Sequence, residues 1–296
     1  MDEQRVKAYR ELIQALLNCP EGQEGALLQE NAELVDAGLV EVMGLVAQQM
    51  EEAGEGNAGW LRQFAGQVAQ TLGGTGEVSQ DMGRFVVEVM QQILQVQGDP
   101  RQVYGFWQAN LARLNEEFFA ALPVVFQWLT AQNSPDLIAW VCVDFGNLIA
   151  QFPLGNHLLN FECAIVAYEC ALEVYTRESF PEDWAMTHNN LAAAYKNRIR
   201  GERADNLEQA IAAYEQALGV YTRDAFPEQW ATTQNNLAIA LKNRIRGERA
   251  ENLEQAIAVY ERALKVRTRE AFPEDWAMTQ NNLANAYSDR IRGERA

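Results

Sequence analysis

Between residues 3 and 18, apolar side chains recur at Val6, Tyr9, Leu12, Ile13, Leu16 and Leu17. Spacings of three and four place them on one face of an amphipathic helix. Asn18-Cys-Pro-Glu-Gly ends it, because glycine and proline punctuate helices. The same periodicity predicts helices at about 24–31, 35–53, 57–72 and 77–97, with Gly54-Glu-Gly-Asn and Gly73-Gly-Thr-Gly between them. Pro100 opens a further helix to about residue 114. Glu116–Thr130 forms the next, around Phe118, Phe119, Leu122, Phe126 and Leu129. Pro123 lies inside that helix and is expected to kink it or displace its start. No stretch alternates as a strand does, so the chain is predicted to be all-α.

Beyond residue 134 the pattern copies itself. Phe180–Arg200 returns as Phe226–Arg246 and again as Phe272–Arg292, offset by 46 residues each time. Without gaps, Leu207–Ala250 and Leu253–Ala296 agree at 33 of 44 positions, far above chance. A period of this size marks a solenoid, in which each unit buries its apolar face only against its neighbours. The period extends backwards in weaker form: Pro135, Phe145, Gly155 and Asn160 stand one period before Pro181, Leu191, Gly201 and Asn206. The chain therefore divides into an all-helical N-terminal domain, residues 1–133, and an array, residues 134–296. The array begins with a diverged first helix (134–160), has clear repeats from 161, and ends on an incomplete repeat. Ala296 precedes the next second helix, which implies a fragment whose last helix leaves Leu283, Ala284, Tyr287 and Ile291 partly bare. Such an end allows homo-association.

Each unit reads as a helical hairpin. Pro181 suits a first turn, and Glu182 and Asp183 meet the positive end of the helix dipole. Arg198 and Arg200 fall near the negative end, and Gly201 suits a left-handed closing residue. Asn206, with Gln209 three residues on, fits a capping box for the second helix. That helix carries Leu207, Ala210, Ile211, Tyr214, Ala217 and Leu218 as one stripe.

Asn190-Leu-Ala-x-Ala-Tyr195, followed by Ala210-Ile-x-x-Tyr214-x-x-Ala217-Leu218, resembles the tetratricopeptide repeat. The unit departs from the family's usual 34 residues, with extensions between the two helices and after the second. The wording Phe-Pro-Glu-Asp-Trp-Ala…Asn-Asn-Leu-Ala…Arg-Gly-Glu-Arg-Ala is similar to arrays of cyanobacterial signalling proteins that often carry a CHAT (caspase-like) protease. The resemblance implies a helical-hairpin solenoid forming a right-handed superhelix, with the first helices lining a concave groove. It implies a protein- or peptide-binding scaffold, the sensor or adaptor part of a larger assembly. Two alternatives are a regulatory part of a CHAT-type protease and a structural, self-associating array.

On that resemblance the candidate groove residues are the paired asparagines Asn189 and Asn190, Asn235 and Asn236, and Asn281 and Asn282. Lys196, Lys242, Ile239 and Asn285 flank them at positions that differ between repeats. An amide offers a donor and an acceptor to any peptide backbone. One of each pair could equally bond the neighbouring helix and keep the stack in register. The arginines at 198, 200 and 203, repeated at each period, fit either a basic ridge or ordinary pairing with Glu202 and Asp205. Trp184, Trp230 and Trp276 fit packing between repeats.

The chain of 296 residues carries a formal charge of −17, which repels phosphate backbones and argues against nucleic acid. The four cysteines (Cys19, Cys142, Cys163, Cys170) lack a disulfide framework or Cys-x-x-Cys pair, as suits reduced thiols. With no long apolar run and no signal segment, the expectation is a cytoplasmic protein away from membranes. Only His157 and His188 are present, and other repeats hold Arg203 and Gln234 in their places. Cys163 and Cys170 lie seven apart on one helix, where packing is the ordinary role. No phosphate loop, metal-ligand cluster or nucleophile elbow occurs. The chain is expected to be no enzyme and to need no cofactor.

Overall fold

A computed structural model describes residues 3–19, 23–31, 34–35, 37–52, 57–72 and 79–293. The described residues contain α-helices and short 3-10 turns, and no strand. The chain forms two compact units, Met1–Gln80 and Asp81–Ala296. In the first, α1 (Glu3–Asn18), α2 (Glu24–Glu30), α3 (Ala37–Glu52) and α4 (Ala58–Leu72) surround one core. Tyr9, Ile13 and Leu16 of α1 meet Leu39 and Met43 of α3 and Leu61 of α4 there.

The second unit opens with α5 (Gln80–Gln95), α6 (Pro100–Ala109) and α7 (Glu116–Gln132). Asn115 caps α7 by accepting from the amides of Glu117 and Phe118, so the helix starts at Glu116 and runs unbroken through Pro123. Pro123 therefore does not displace the start. Its cost is the hydrogen bond that the Phe119 carbonyl lacks within the helix.

Helix pairs then alternate along the array. The first helices are α8 (Pro135–Gln151), α10 (Pro181–Asn197), α12 (Pro227–Asn243) and α14 (Pro273–Gly293). The second helices are α9 (His157–Val174), α11 (Arg203–Leu218) and α13 (Arg249–Ala263). Each helix packs on the helices before and after it in sequence, so this is an all-α helical-repeat solenoid. The start of the array is covered by rings. Trp107, fully buried, meets Phe145 and Phe152 edge-on at 5.7 and 5.3 Å, and Phe85 meets Phe118 at 5.6 Å. The Tyr104 hydroxyl donates to the Leu148 carbonyl at 3.1 Å. These aromatics explain why the first helix diverges: its outer side meets α6 and α7 rather than another repeat.

The connections repeat as strictly as the helices. Gly155, Gly201 and Gly247 close each turn at φ of 82°, 73° and 79°, a region that penalises a Cβ. The expected capping box is absent. Each second helix starts earlier, at Arg203 and Arg249, and Asn206 lies inside its helix, buried. Its amide instead donates back to the carbonyls of Arg200 (2.7 Å) and Arg198 (3.5 Å). Asn252 does the same to Arg246 and Arg244, and Asn160 to Leu154 and Phe152. A side chain reaching back six and eight residues staples the loop onto the helix that follows. The extra length of the unit sits in helices of 16 and 17 residues and in the 219–226 connection.

Ion pairs tie each first helix to the second helix before it. Arg198 grips Glu162 through two bonds of 2.8 Å, Arg244 grips Glu208 at 2.7 and 2.6 Å, and Arg290 meets Glu254 at 3.1 Å. Arg200 pairs with Glu116 and Arg246 with Asp205, while Arg203 and Arg249 donate to the carbonyls of Lys196 and Lys242. These arginines are engaged in pairing, which leaves no free basic ridge of them. Trp184 and Trp230 pack with Phe226 around Ala185, Ala217 and Tyr221, between repeats. On α14, Leu283 and Ala286 are buried rather than bare, because both face the core shared with α13. Ala284 is exposed, Tyr287 is half-buried and donates to Glu261 at 2.8 Å, and the side chain of Ile291 lies outside the described residues.

Two outcomes follow from the connections and the ion pairs. Asn206→Ala should lower the urea midpoint by an amount worth about 1–3 kcal/mol, the cost of leaving part-buried carbonyls unpaired, while Gln209→Ala should be silent. Equal losses would restore the capping box. The Arg244 guanidinium holds the Glu208 carboxyl below the usual carboxylate range. Its contribution is therefore complete above the unfolded value, about pH 4.3, and fades as pH falls through the lower folded value. The gap in urea midpoint between wild type and Glu208→Gln should be present at neutral pH and close in strong acid. A gap that persists there would show that the charge is not its source.

Candidate protein-binding groove

The 46-residue period lines up equivalent positions of α8, α10, α12 and α14 in rows. The first row is Trp140, Met186, Thr232 and Met278, and all four are exposed; Trp140 is 41% and Met278 47% accessible. Large apolar side chains left open at the same position of successive repeats are what packing alone does not require. Beside them, Glu182 and Asp183 of α10 and Glu228 and Gln229 of α12 rim a cleft floored by Tyr221. Asn189, Thr232 and Thr233 line it. A second cleft, between α8 and α10, is lined by Asn147, Gln151, Asn190, Ala193 and Asn197, with Tyr168 beneath.

Asn189 lines the first cleft and Asn190 the second, and amides of the paired asparagines run between helices. Asn190 donates to Asn147 of α8 at 2.9 Å, and Asn282 of α14 donates to Asn235 of α12 at 3.3 Å. Thr233 donates to Asn189 at 3.2 Å. Within pairs, Asn189 donates to Asn190 and Asn235 to Asn236, both at 3.4 Å. Asn235 is buried, Asn189, Asn190, Asn236 and Asn282 are half-buried, and Asn281 is exposed. Bonds of this kind between first helices hold neighbouring repeats in register.

The flanking positions differ from one another. Ile239 is half-buried against the repeat core, while Asn285 is exposed. Lys196 is half-buried, and burial together with the nearby Arg203 lowers its ammonium below the usual lysine value. Lys242 stands 3.8 Å from Asp289. Burial likewise lowers His188, whose ring lies 4.4 Å from Trp184. No group of three or more His, Cys, Asp or Glu able to hold a metal occurs among the described residues.

Sequence reasoning missed three features. Asn147 has its partners on two helices: its Oδ1 accepts from Asn190 and, at 2.8 Å, from the Tyr168 hydroxyl. One and two periods on, Ala193 and Ile239 replace it. The hydroxyls of Tyr214 and Tyr260, equivalent to Tyr168, are accordingly buried without a partner. Arg267 is the second feature. It replaces Tyr221 of the previous repeat, is 4% exposed, and donates to Thr279 (3.0 Å) and Thr232 (2.9 Å). Thr232 is the one member of its row that is neither methionine nor tryptophan, so the two departures compensate each other. The third is the Glu162–Arg198 series, whose members recur at the common period but lie too far apart in sequence to read as pairs.

An array of helical hairpins stacked at a fixed period, with open rows along its first helices, defines the class: an α-helical repeat protein. Residues 184–228 and 230–271 each match the family model of the tetratricopeptide repeat. These two stretches of the array are tetratricopeptide repeats. No curated protein and no solved structure matches it.

The tyrosine series yields a contrast. Tyr168→Phe should destabilise by roughly 0.5–1.5 kcal/mol, the net worth of one hydrogen bond. Tyr214→Phe and Tyr260→Phe should be neutral or stabilising in urea unfolding, since each removes a buried hydroxyl that has no partner. Comparable losses at all three positions would mean that the later hydroxyls are satisfied.

Proposed function

We propose that the open face of the first helices binds a protein or peptide partner, so that the chain acts as a scaffold, the sensor or adaptor part of a larger signalling assembly. The observation that carries this reading is the exposed row Trp140, Met186 and Met278 beside clefts lined with amides. Apolar anchors in a pocket supply most of the energy of an interface, and polar groups around them fix orientation. The exposed Asn281 and the half-buried Asn189, Asn190, Asn236 and Asn282 offer amides along this face, while the buried Asn235 holds Asn282 in place. Lys196, Lys242, Ile239 and Asn285 vary between repeats and give each repeat its own preference. The family supports the reading at the level of protein interaction. A cytoplasmic setting accords with the four free cysteines, and none of the described helices is long and apolar enough to cross a membrane.

The test separates binding from register. A partner isolated on the immobilised chain and mapped to a peptide is titrated against wild type and against Trp140→Ser/Met186→Ser/Met278→Ser. The asparagine bonds to Asn147 and Asn235 stay intact in that variant. Affinity should fall at least tenfold, about 1.4 kcal/mol, with the helical circular-dichroism spectrum unchanged. Undiminished affinity would place the interface elsewhere.

A further inference from the structure

The strongest unabsorbed feature lies inside the first hairpin. Cys142 of α8 and Cys170 of α9 bring their sulfurs to 3.7 Å, the Cys142 thiol donating to the Cys170 sulfur. Cysteine appears at neither position in the following repeats, which hold His188 and Gln234 opposite Cys142, and Gln216 and Arg262 opposite Cys170. The pair is therefore a property of this one hairpin and not of the repeat.

We propose that Cys142 and Cys170 form a peroxide-sensitive dithiol that closes to a disulfide between the two helices. Side chains of α9 press directly on the α8 backbone. Gly146, one turn along α8, has the Tyr168 ring where a Cβ would stand, with 2.6 Å from that position to the nearest ring carbon. Ala164, Ala167 and Ala171 of α9 are all fully buried. Side chains this small allow the short spacing that a disulfide demands, with Cα atoms about 4.4–6.8 Å apart. Sulfurs 3.7 Å apart draw together to the bonded distance of about 2.05 Å as the disulfide forms.

The two thiols are unequal in a way that orders the steps. Cys170 is partly exposed and Cys142 is buried. The hydrogen bond from Cys142 lowers the Cys170 thiol, while the same bond and burial raise Cys142. The Cys170 thiolate attacks one oxygen of hydrogen peroxide, breaking the O–O bond and becoming a sulfenic acid as hydroxide leaves. The Cys142 thiol gives up its proton and its sulfur attacks the Cys170 sulfur, forming the S–S bond and expelling the oxygen as water. Two thiols lose two electrons and one peroxide becomes two waters. The disulfide would lock α8 against α9 beside Trp140 and Asn147.

Thiol labelling under denaturing conditions reads the outcome directly. The reduced protein has four free cysteines, Cys19, Cys142, Cys163 and Cys170. After hydrogen peroxide, alkylation should fall from four labels to two, retained on Cys19 and Cys163, with a linked peptide pair containing Cys142 and Cys170. Dithiothreitol should restore all of them. The oxidised protein should unfold at a higher temperature than the reduced one, a shift absent from Cys142→Ser and Cys170→Ser. The peptide map needs no variant, so it decides even where a serine at Cys142 disturbs the core. Loss of the Cys170 label while Cys142 stays labelled, or retention of both, would overturn the proposal.

Discussion

Close approach of helices at fixed small residues is the constraint on which the array depends. Ala164, Ala210 and Ala256 stand one period apart and are fully buried, as are Ala171, Ala217 and Ala263. Ala192 and Ala238 occupy the equivalent place on the first helices, and Gly146 takes it in the first hairpin. A solenoid unit has no core of its own, so its stability comes from how tightly each neighbour seats. A methyl group at the contact sets that distance, and a larger side chain would force the helices apart at a cost of about 1–3 kcal/mol. Tyrosine fills the space beside the alanines, fully buried at Tyr214 and Tyr260. Small against large at each layer gives the interdigitation that native packing density requires.

Polar groups then choose one register among those that the apolar stripes allow. The Glu162–Arg198 and Glu208–Arg244 pairs are bidentate, with Glu162 buried and the other three side chains part-exposed, and each joins a second helix to the first helix that follows. A fork-shaped guanidinium on a carboxylate is sensitive to displacement, so sliding one hairpin against the next would break both bonds together. Asn160, Asn206 and Asn252 do the corresponding work within a hairpin, where the glycine turn leaves carbonyls facing inward. Packing supplies the attraction and these bonds supply the alignment.

The first hairpin stands apart from its successors. It alone has Asn147 to satisfy its core tyrosine, it alone carries facing thiols, and its outer side is closed by the rings of Trp107, Phe145 and Phe152. Later hairpins replace the asparagine with Ala193 and Ile239, and their tyrosine hydroxyls go unpaired. The array is thus regular in its packing and in the bonds that align its hairpins, and irregular in the groups that meet its core tyrosines. The exposed face follows the same rule: Trp140, Met186, Thr232 and Met278 share one position and differ in side chain.

The sequence by itself determined the all-helical class, the period, the hairpin unit, and the prolines and glycines that open and close it. Those depend on local backbone preference and apolar spacing, which a single chain displays. The sequence named the paired asparagines, yet left open whether their amides would face a ligand or a neighbouring helix. Only the tertiary structure put Asn190 on Asn147 and Asn282 on Asn235, because those partners lie nearly one period away. It also moved the start of each second helix ahead of Asn206. The glycine turn brings inward carbonyls within reach of that amide, and a buried carbonyl costs more to leave unpaired than a helix end in water. Cys142 meeting Cys170, and Arg267 reaching Thr232, were decided in the same way. Residues distant along the chain become neighbours only once the helices have packed.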